Sequence, residues 1–74
     1  MFIVIELQTN ADGSVGNIVT NYEDRNVAES KFHQIMAAAA ISDVTVHSAL
    51  MVDEAGMVLK QDRYDRRIYD GGSY

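Results

Sequence analysis

His33 and His47 are the only histidines of this chain, and together with Lys31 they are its best candidates for polar chemistry. An imidazole can donate a hydrogen bond to a phosphate or stack on a base, and a neighbouring lysine can add positive charge. For a histidine taken alone, an ordinary surface or interface role is the better expectation. With Glu29 they offer donors for zinc, but their spacing matches no metal motif, so we predict no metal site.

Ser30, His33 and Glu29 are the residue types of a hydrolytic triad, but their spacing does not suit one. On one helical turn Ser30 lies about 100° around the axis from Glu29, so the required chain of hydrogen bonds is not formed. The glycines of residues 13–16 belong to a hairpin turn and lack the lysine of a phosphate-binding loop. We therefore predict a protein that is not an enzyme and uses no cofactor.

The elements that position these residues are two hairpins on either side of one helix. Apolar and polar residues alternate in the hairpin segments, and Asp12-Gly13 and Gly56 mark their turns. The predicted strands are residues 2–9, 15–22, 44–52 and 57–61. We expect an α+β fold of order ββαββ, a four-stranded antiparallel sheet with one helix packed on one face.

The helix is predicted over residues 26–41, with Asn26 as its N-cap and Glu29 completing a capping box. One sector of it should cover the sheet, and its members are Ala28, Phe32, Ile35, Met36 and Ala39. The uncovered sheet face should then carry some of Phe2, Val4, Val19, Ala49 and Met51. We expect this face and the small-residue run 37–41 to contact a partner, most simply a second copy of the chain.

A chain of 74 residues without cysteine has one small core and no disulfides, so oligomerisation is its natural support. We predict one domain over residues 1–61 and a flexible, tyrosine-containing tail over residues 62–74. The net charge of −5 disfavours direct contact with nucleic acid, although acidic decoys of nucleic acid exist. The apolar start runs into Glu6 too early for a signal peptide or a membrane span, so we expect a cytoplasmic protein.

Several of these segments resemble a known group of proteins: residues 1–6, the run 29–33 with the alanines that follow it, Ser42 and His47. The group consists of short uncharacterised proteins from phages and prophages of gut Firmicutes, and the resemblance covers residues 1–60. No activity is attached to that group. The resemblance implies four candidate ligand-binding residues, Lys31, His33, Ser42 and His47.

Together, the residues and the resemblance suggest a non-enzymatic, homo-oligomeric phage accessory protein in the cytoplasm of the host cell. We expect it to antagonise host defence by sequestering a small anionic nucleotide signal between subunits, where a module this small can form a pocket. One alternative is an inhibitor that binds a host defence complex through its acidic or apolar surface. Another is a structural or regulatory interaction module.

Overall fold

Four strands and one helix form the part of the chain that the computed structural model describes, residues 1–67. The predicted ββαββ order and α+β class are confirmed. Within these residues no helix is long and apolar enough to cross a membrane. The elements in chain order are β1 Phe2–Thr9, β2 Val15–Tyr22, α1 Arg25–Ile41, β3 Val46–Asp53 and β4 Val58–Asp65.

The strands form one antiparallel sheet in the order β2-β1-β3-β4, so β1 and β3 are central and β2 and β4 are edges. Ile5 is paired with Val19 on one side and with Leu50 on the other. Each hairpin turns at a glycine with positive φ, Gly13 at 90° and Gly56 at 86°, which other residues rarely adopt.

The helix begins earlier than the sequence predicts. Its N-cap is Asp24, whose side chain accepts a 2.8 Å hydrogen bond from the backbone N–H of Asn26. The predicted Asn26 cap is therefore wrong, because an aspartate two residues upstream meets the same free N–H groups equally well. Glu29 instead pairs with Arg25 at 3.1 Å, one turn away. The helix ends at Ser42 as expected.

The helix sector predicted to cover the sheet is confirmed, but the sheet face beneath it is the opposite of the expected one. Val4 is 1% exposed, Ala49 2% and Met51 0%, and they form one core with Phe32 of the helix. Phe2 packs against that core. Alternation shows which residues share a face but does not show which face the helix takes, and so the prediction failed.

The uncovered face, which we call the open face, therefore carries the alternate residues. Of the residues expected there, only Val19 is present, and its side chain is 56% exposed. The strand registers place the following apolar residues on this face: Ile3, Ile5, Leu7, Val15, Val19, Val46, Leu50, Val52 and Val58.

Strand β4 is longer than predicted. The sequence placed its end at Gln61 and a tail from Asp62 onwards, whereas pairing with β3 continues through Arg63, opposite Ser48, to Asp65, opposite Val46. A polar segment can occupy an edge strand because its side chains reach solvent while its backbone still pairs. The tail prediction is thus wrong for residues 62–66, since the backbone N–H of Arg66 also donates to the carbonyl oxygen of Thr45 at 2.7 Å. Residues 68–74 of the predicted tail lie outside the described residues.

Candidate functional site

Between the sheet and the helix, the main polar group is a cluster of Glu6, Gln8 and His47. Nε2 of His47 lies 2.7 Å from Oε2 of Glu6, and Nε2 of Gln8 donates to the same oxygen at 2.9 Å. His47 is 4% exposed. Glu6 and Gln8 project from β1 and His47 from β3, on the sheet face that also carries the core residue Val4. This face therefore joins an apolar core to a polar end.

The electrostatics of this cluster favour an ionised Glu6. Burial alone would raise the pKa of Glu6, but the hydrogen bonds from His47 and Gln8, and the charges of His47 and Lys31, outweigh burial and lower it. An ionised carboxylate can only accept hydrogen bonds, so Nε2 of His47 must carry the proton that is donated. We call Glu6, Gln8, Lys31 and His47 the polar cluster.

His47 has one buried atom without a partner. Its Nδ1 is buried and makes no hydrogen bond with any described residue. In this geometry His47 acts as a structural donor to Glu6, and its imidazole does not reach solvent to meet a phosphate.

Lys31 and His33, predicted to act together, lie on opposite sides of the helix. Two residues apart, they are separated by about 200° around the helix axis. Lys31 is half-buried and close enough to Glu6 for its charge to lower the pKa of that carboxyl. His33 is exposed, and its ring meets the edge of Phe32 with 5.6 Å between centroids. The structure thus brings Lys31 and His47 together around Glu6 but leaves His33 apart.

Ser42, the fourth predicted residue, serves the end of the helix. Its backbone N–H donates to the carbonyl oxygen of Ala39 at 3.3 Å, and its Oγ accepts from the N–H of Val44 at 3.1 Å. These bonds turn the chain from the helix toward β3. The hydroxyl oxygen is already engaged there, and so the structure gives Ser42 a local role.

A larger groove lies on the open face, across β1, β3 and β4. Its volume is about 400 Å³, compared with about 180 Å³ for a smaller groove beside Glu6 and Gln8. Leu7 and Leu50 supply apolar surface, and Arg63 stands at the edge strand. The groove is lined by Leu7, Ser48, Ala49, Leu50, Gln61, Asp62 and Arg63.

Arg63 is the functional candidate that sequence reasoning missed. Within residues 1–67 its guanidinium makes no hydrogen bond or ion pair, although its backbone N–H binds Oδ1 of Asp62 at 2.8 Å. No local signal marks it, because residues 61–65 are nearly all polar and show no apolar alternation, so their pairing with β3 is visible only in the structure.

No protein-family model, no curated protein and no solved structure matches this chain. The resemblance to phage proteins therefore stays a prediction. The structural features that bear on function lie on the two sides of the sheet, the polar cluster beneath the helix and the groove on the open face.

Proposed function

We propose that this protein is a non-enzymatic, homo-oligomeric binding protein that captures a small anionic ligand in the groove of the open face. A nucleotide is the ligand class that we favour. The observation that supports this most is the guanidinium of Arg63, which is unpaired among the described residues and stands beside an apolar groove. A free cation next to apolar surface suits a ligand with one charged and one flat apolar part.

The size and lining of the groove support a small ligand. Ligand sites typically measure about 300–1,000 Å³ and combine mostly apolar walls with a few polar groups. At about 400 Å³ the groove lies at the lower end of that range. Leu7 and Leu50 offer a surface for a base, while Ser48 and Gln61 can exchange hydrogen bonds with its edge.

The chemistry of Arg63 supports an anion with several oxygens. A guanidinium presents parallel N–H groups that fit two oxygens of a phosphate or carboxylate. Asp62 lies along the groove through its backbone, since the register places its side chain on the helix side of β4, opposite Ala49.

This proposal moves the ligand away from the residues that the sequence suggested. Lys31 and His47 lie on the helix side of the sheet, and the groove lies on the other side. His47 is buried against Glu6 and is not available to a phosphate. In the proposed function these two residues stabilise the fold, and Arg63 meets the anion.

The biological setting rests on the resemblance to phage proteins alone. In that setting the protein would act in the host cytoplasm and antagonise host defence by removing a nucleotide signal. The alternative is an inhibitor that binds a host defence protein, which the apolar open face also supports because exposed apolar patches commonly mark contact surfaces.

Calorimetry against a panel of cyclic and linear nucleotides tests the proposal. We expect the parent to bind at least one of them, and Arg63→Ala to weaken that binding about ten- to a hundredfold, the usual effect of losing a charge-assisted hydrogen bond. Lys31→Ala is the matched control, since it removes one positive charge from the other side of the sheet and should bind as the parent does.

Two results would contradict the proposal. If the parent gives no heat with any nucleotide, the protein-inhibitor alternative takes its place. If Lys31→Ala loses binding while Arg63→Ala keeps it, the ligand lies in the polar cluster beneath the helix, as the sequence first suggested.

A further inference from the structure

We infer that the open face is the contact surface for a second copy of this chain, with two sheets packed face to face and the helices on the outside. The first observation is composition. The central strands present Ile3, Ile5, Leu7, Leu50 and Val52 on this face, and no element of residues 1–67 covers them. The helix lies on the other face, over Val4, Ala49 and Met51.

The open face carries few charged side chains. Strands β1, β2 and β3 place no charged side chain on the open face, where their polar residues are Thr9, Asn17, Asn21 and Ser48. The charged residues there are Arg63 and Asp65, both on edge strand β4, and Asp65 is paired with Arg67. A central area without charges and a polar rim is the composition of protein interfaces.

The charge pattern also indicates which partner fits. The chain carries a net charge of −5, so two copies repel each other through most of their surfaces. The open face is the surface where that repulsion is weakest, since the acids of residues 1–67 lie in the turns, on the helix and on the helix side of the strands, apart from the paired Asp65. A basic partner would be drawn instead to the acidic surfaces and would leave this neutral face uncovered.

The area of the open face also supports a contact between two copies. The four strands are each eight residues long. With a rise of about 3.3 Å per residue and a spacing of about 4.8 Å, the face measures roughly 26 by 19 Å, or about 500 Å² in projection. Two such faces bury about 1,000 Å² or more in total, which reaches the lower limit for a specific interface. Packed sheets stand about 10 Å apart, which leaves room for the aliphatic side chains of both copies.

The pairing would also complete the ligand site. Leu7 and Leu50 belong both to the open face and to the groove, so a second copy on this face would form the lid of the groove. In this part the inference rests on the proposed function. Sedimentation tests the interface and calorimetry tests ligand binding, so each proposal can be rejected independently of the other.

Sedimentation equilibrium of the full chain, at concentrations up to about 1 mM, tests the interface without any ligand. We expect the parent to reach twice its chain mass of 8.2 kDa. Leu50→Glu adds a charge at the centre of the face and should weaken self-association about thirtyfold or more, as interface hot spots do. Val19→Glu, at a half-exposed position of β2, is a second variant that perturbs the monomer less.

Gln34→Glu is the matched control, because it adds the same charge at an exposed position of the helix and should associate as the parent does. Circular dichroism establishes which variants are folded. If Leu50→Glu is unfolded, the mass of Val19→Glu tests the interface in its place. A parent that stays at 8.2 kDa over the whole range overturns the inference. So does a folded open-face variant that keeps the parent's association, because the copies would then meet through another surface.

Discussion

His47 and Glu6 are diagonal neighbours on adjacent strands, and their side chains meet beneath the helix with 2.7 Å between Nε2 and Oε2. In the register of the sheet, His47 lies opposite Gln8, and Glu6 lies two residues before Gln8 in β1. Both side chains are largely buried, 5% and 15% exposed. The hydrogen bond from His47 therefore takes the place of the water that would otherwise solvate the Glu6 carboxylate. This makes His47 a structural residue in the described fold.

Replacing His47 should destabilise the protein. His47→Ala removes a donor from the buried carboxylate of Glu6, and hydrogen bonds to charged groups typically contribute about 1.5–3 kcal/mol. His33→Ala is the matched control, since His33 is exposed and such substitutions usually change stability by less than about 0.5 kcal/mol. Urea denaturation of the two variants and the parent gives the comparison. Equal midpoints for all three would show that the contact with Glu6 contributes nothing.

The lowered pKa of Glu6 predicts a loss of stability in acid. Because the folded chain holds the proton less readily than the unfolded chain does, the stabilisation is complete above the ordinary value of 4.5. It is lost as the pH falls from there through the lower pKa of the folded state. Melting temperatures between about pH 6 and pH 3 should therefore fall less steeply for Glu6→Gln than for the parent.

The control for this pH series is Glu23→Gln. Glu23 is exposed just before the helix, and its side chain makes no hydrogen bond within residues 1–67. We expect this variant to keep the parent's pH dependence. If Glu6→Gln also keeps it, Glu6 does not contribute to acid sensitivity, and the cluster is weaker than its geometry indicates.

The sequence allowed the elements to be predicted, because strand alternation, hairpin glycines and the buried helix sector are local patterns. It did not allow the choice of sheet face. Ile3 and Ile5 are as apolar as Val4, so either face of β1 could have met the helix. That choice determines whether His47 is buried or exposed, and for this reason its contact with Glu6 beneath the helix could not be predicted from the sequence. Arg63 was missed for another reason, since edge-strand pairing depends on the neighbour and leaves little trace in a polar sequence.

Phe32 should be the most sensitive core position of the helix. It is 5% exposed and packs in the core with Val4 and Met51. Phe32→Ala should cost about 3–5 kcal/mol, comparable to the total stability of a domain this small. Gln34→Ala, at an exposed position two residues on, should melt like the parent. Circular dichroism monitors the thermal unfolding, and equal melting temperatures for Phe32→Ala and the parent would contradict the core assignment.

Arg66, just beyond β4, serves the C-terminal end of the helix. No basic residue occupies the last helical turn, so its free carbonyl groups lack a cation from the helix itself. The guanidinium of Arg66 donates to the carbonyl oxygen of Ala39 at 2.6 Å and of Val44 at 3.3 Å. It also lies 5.5 Å from the ring centroid of Tyr64, which helps to hold it in place.

Arg66→Ala should therefore lower stability by about 1–2 kcal/mol and loosen the last helical turn. Hydrogen exchange should speed up at the amides of residues 40–44 and stay unchanged at the start of the helix. Arg63→Ala is the matched control, because it removes the same side chain from the same end of the chain without touching the helix. Equal exchange in both variants would show that the helix end is held by Ser42 alone, through its own hydrogen bonds to Ala39 and Val44.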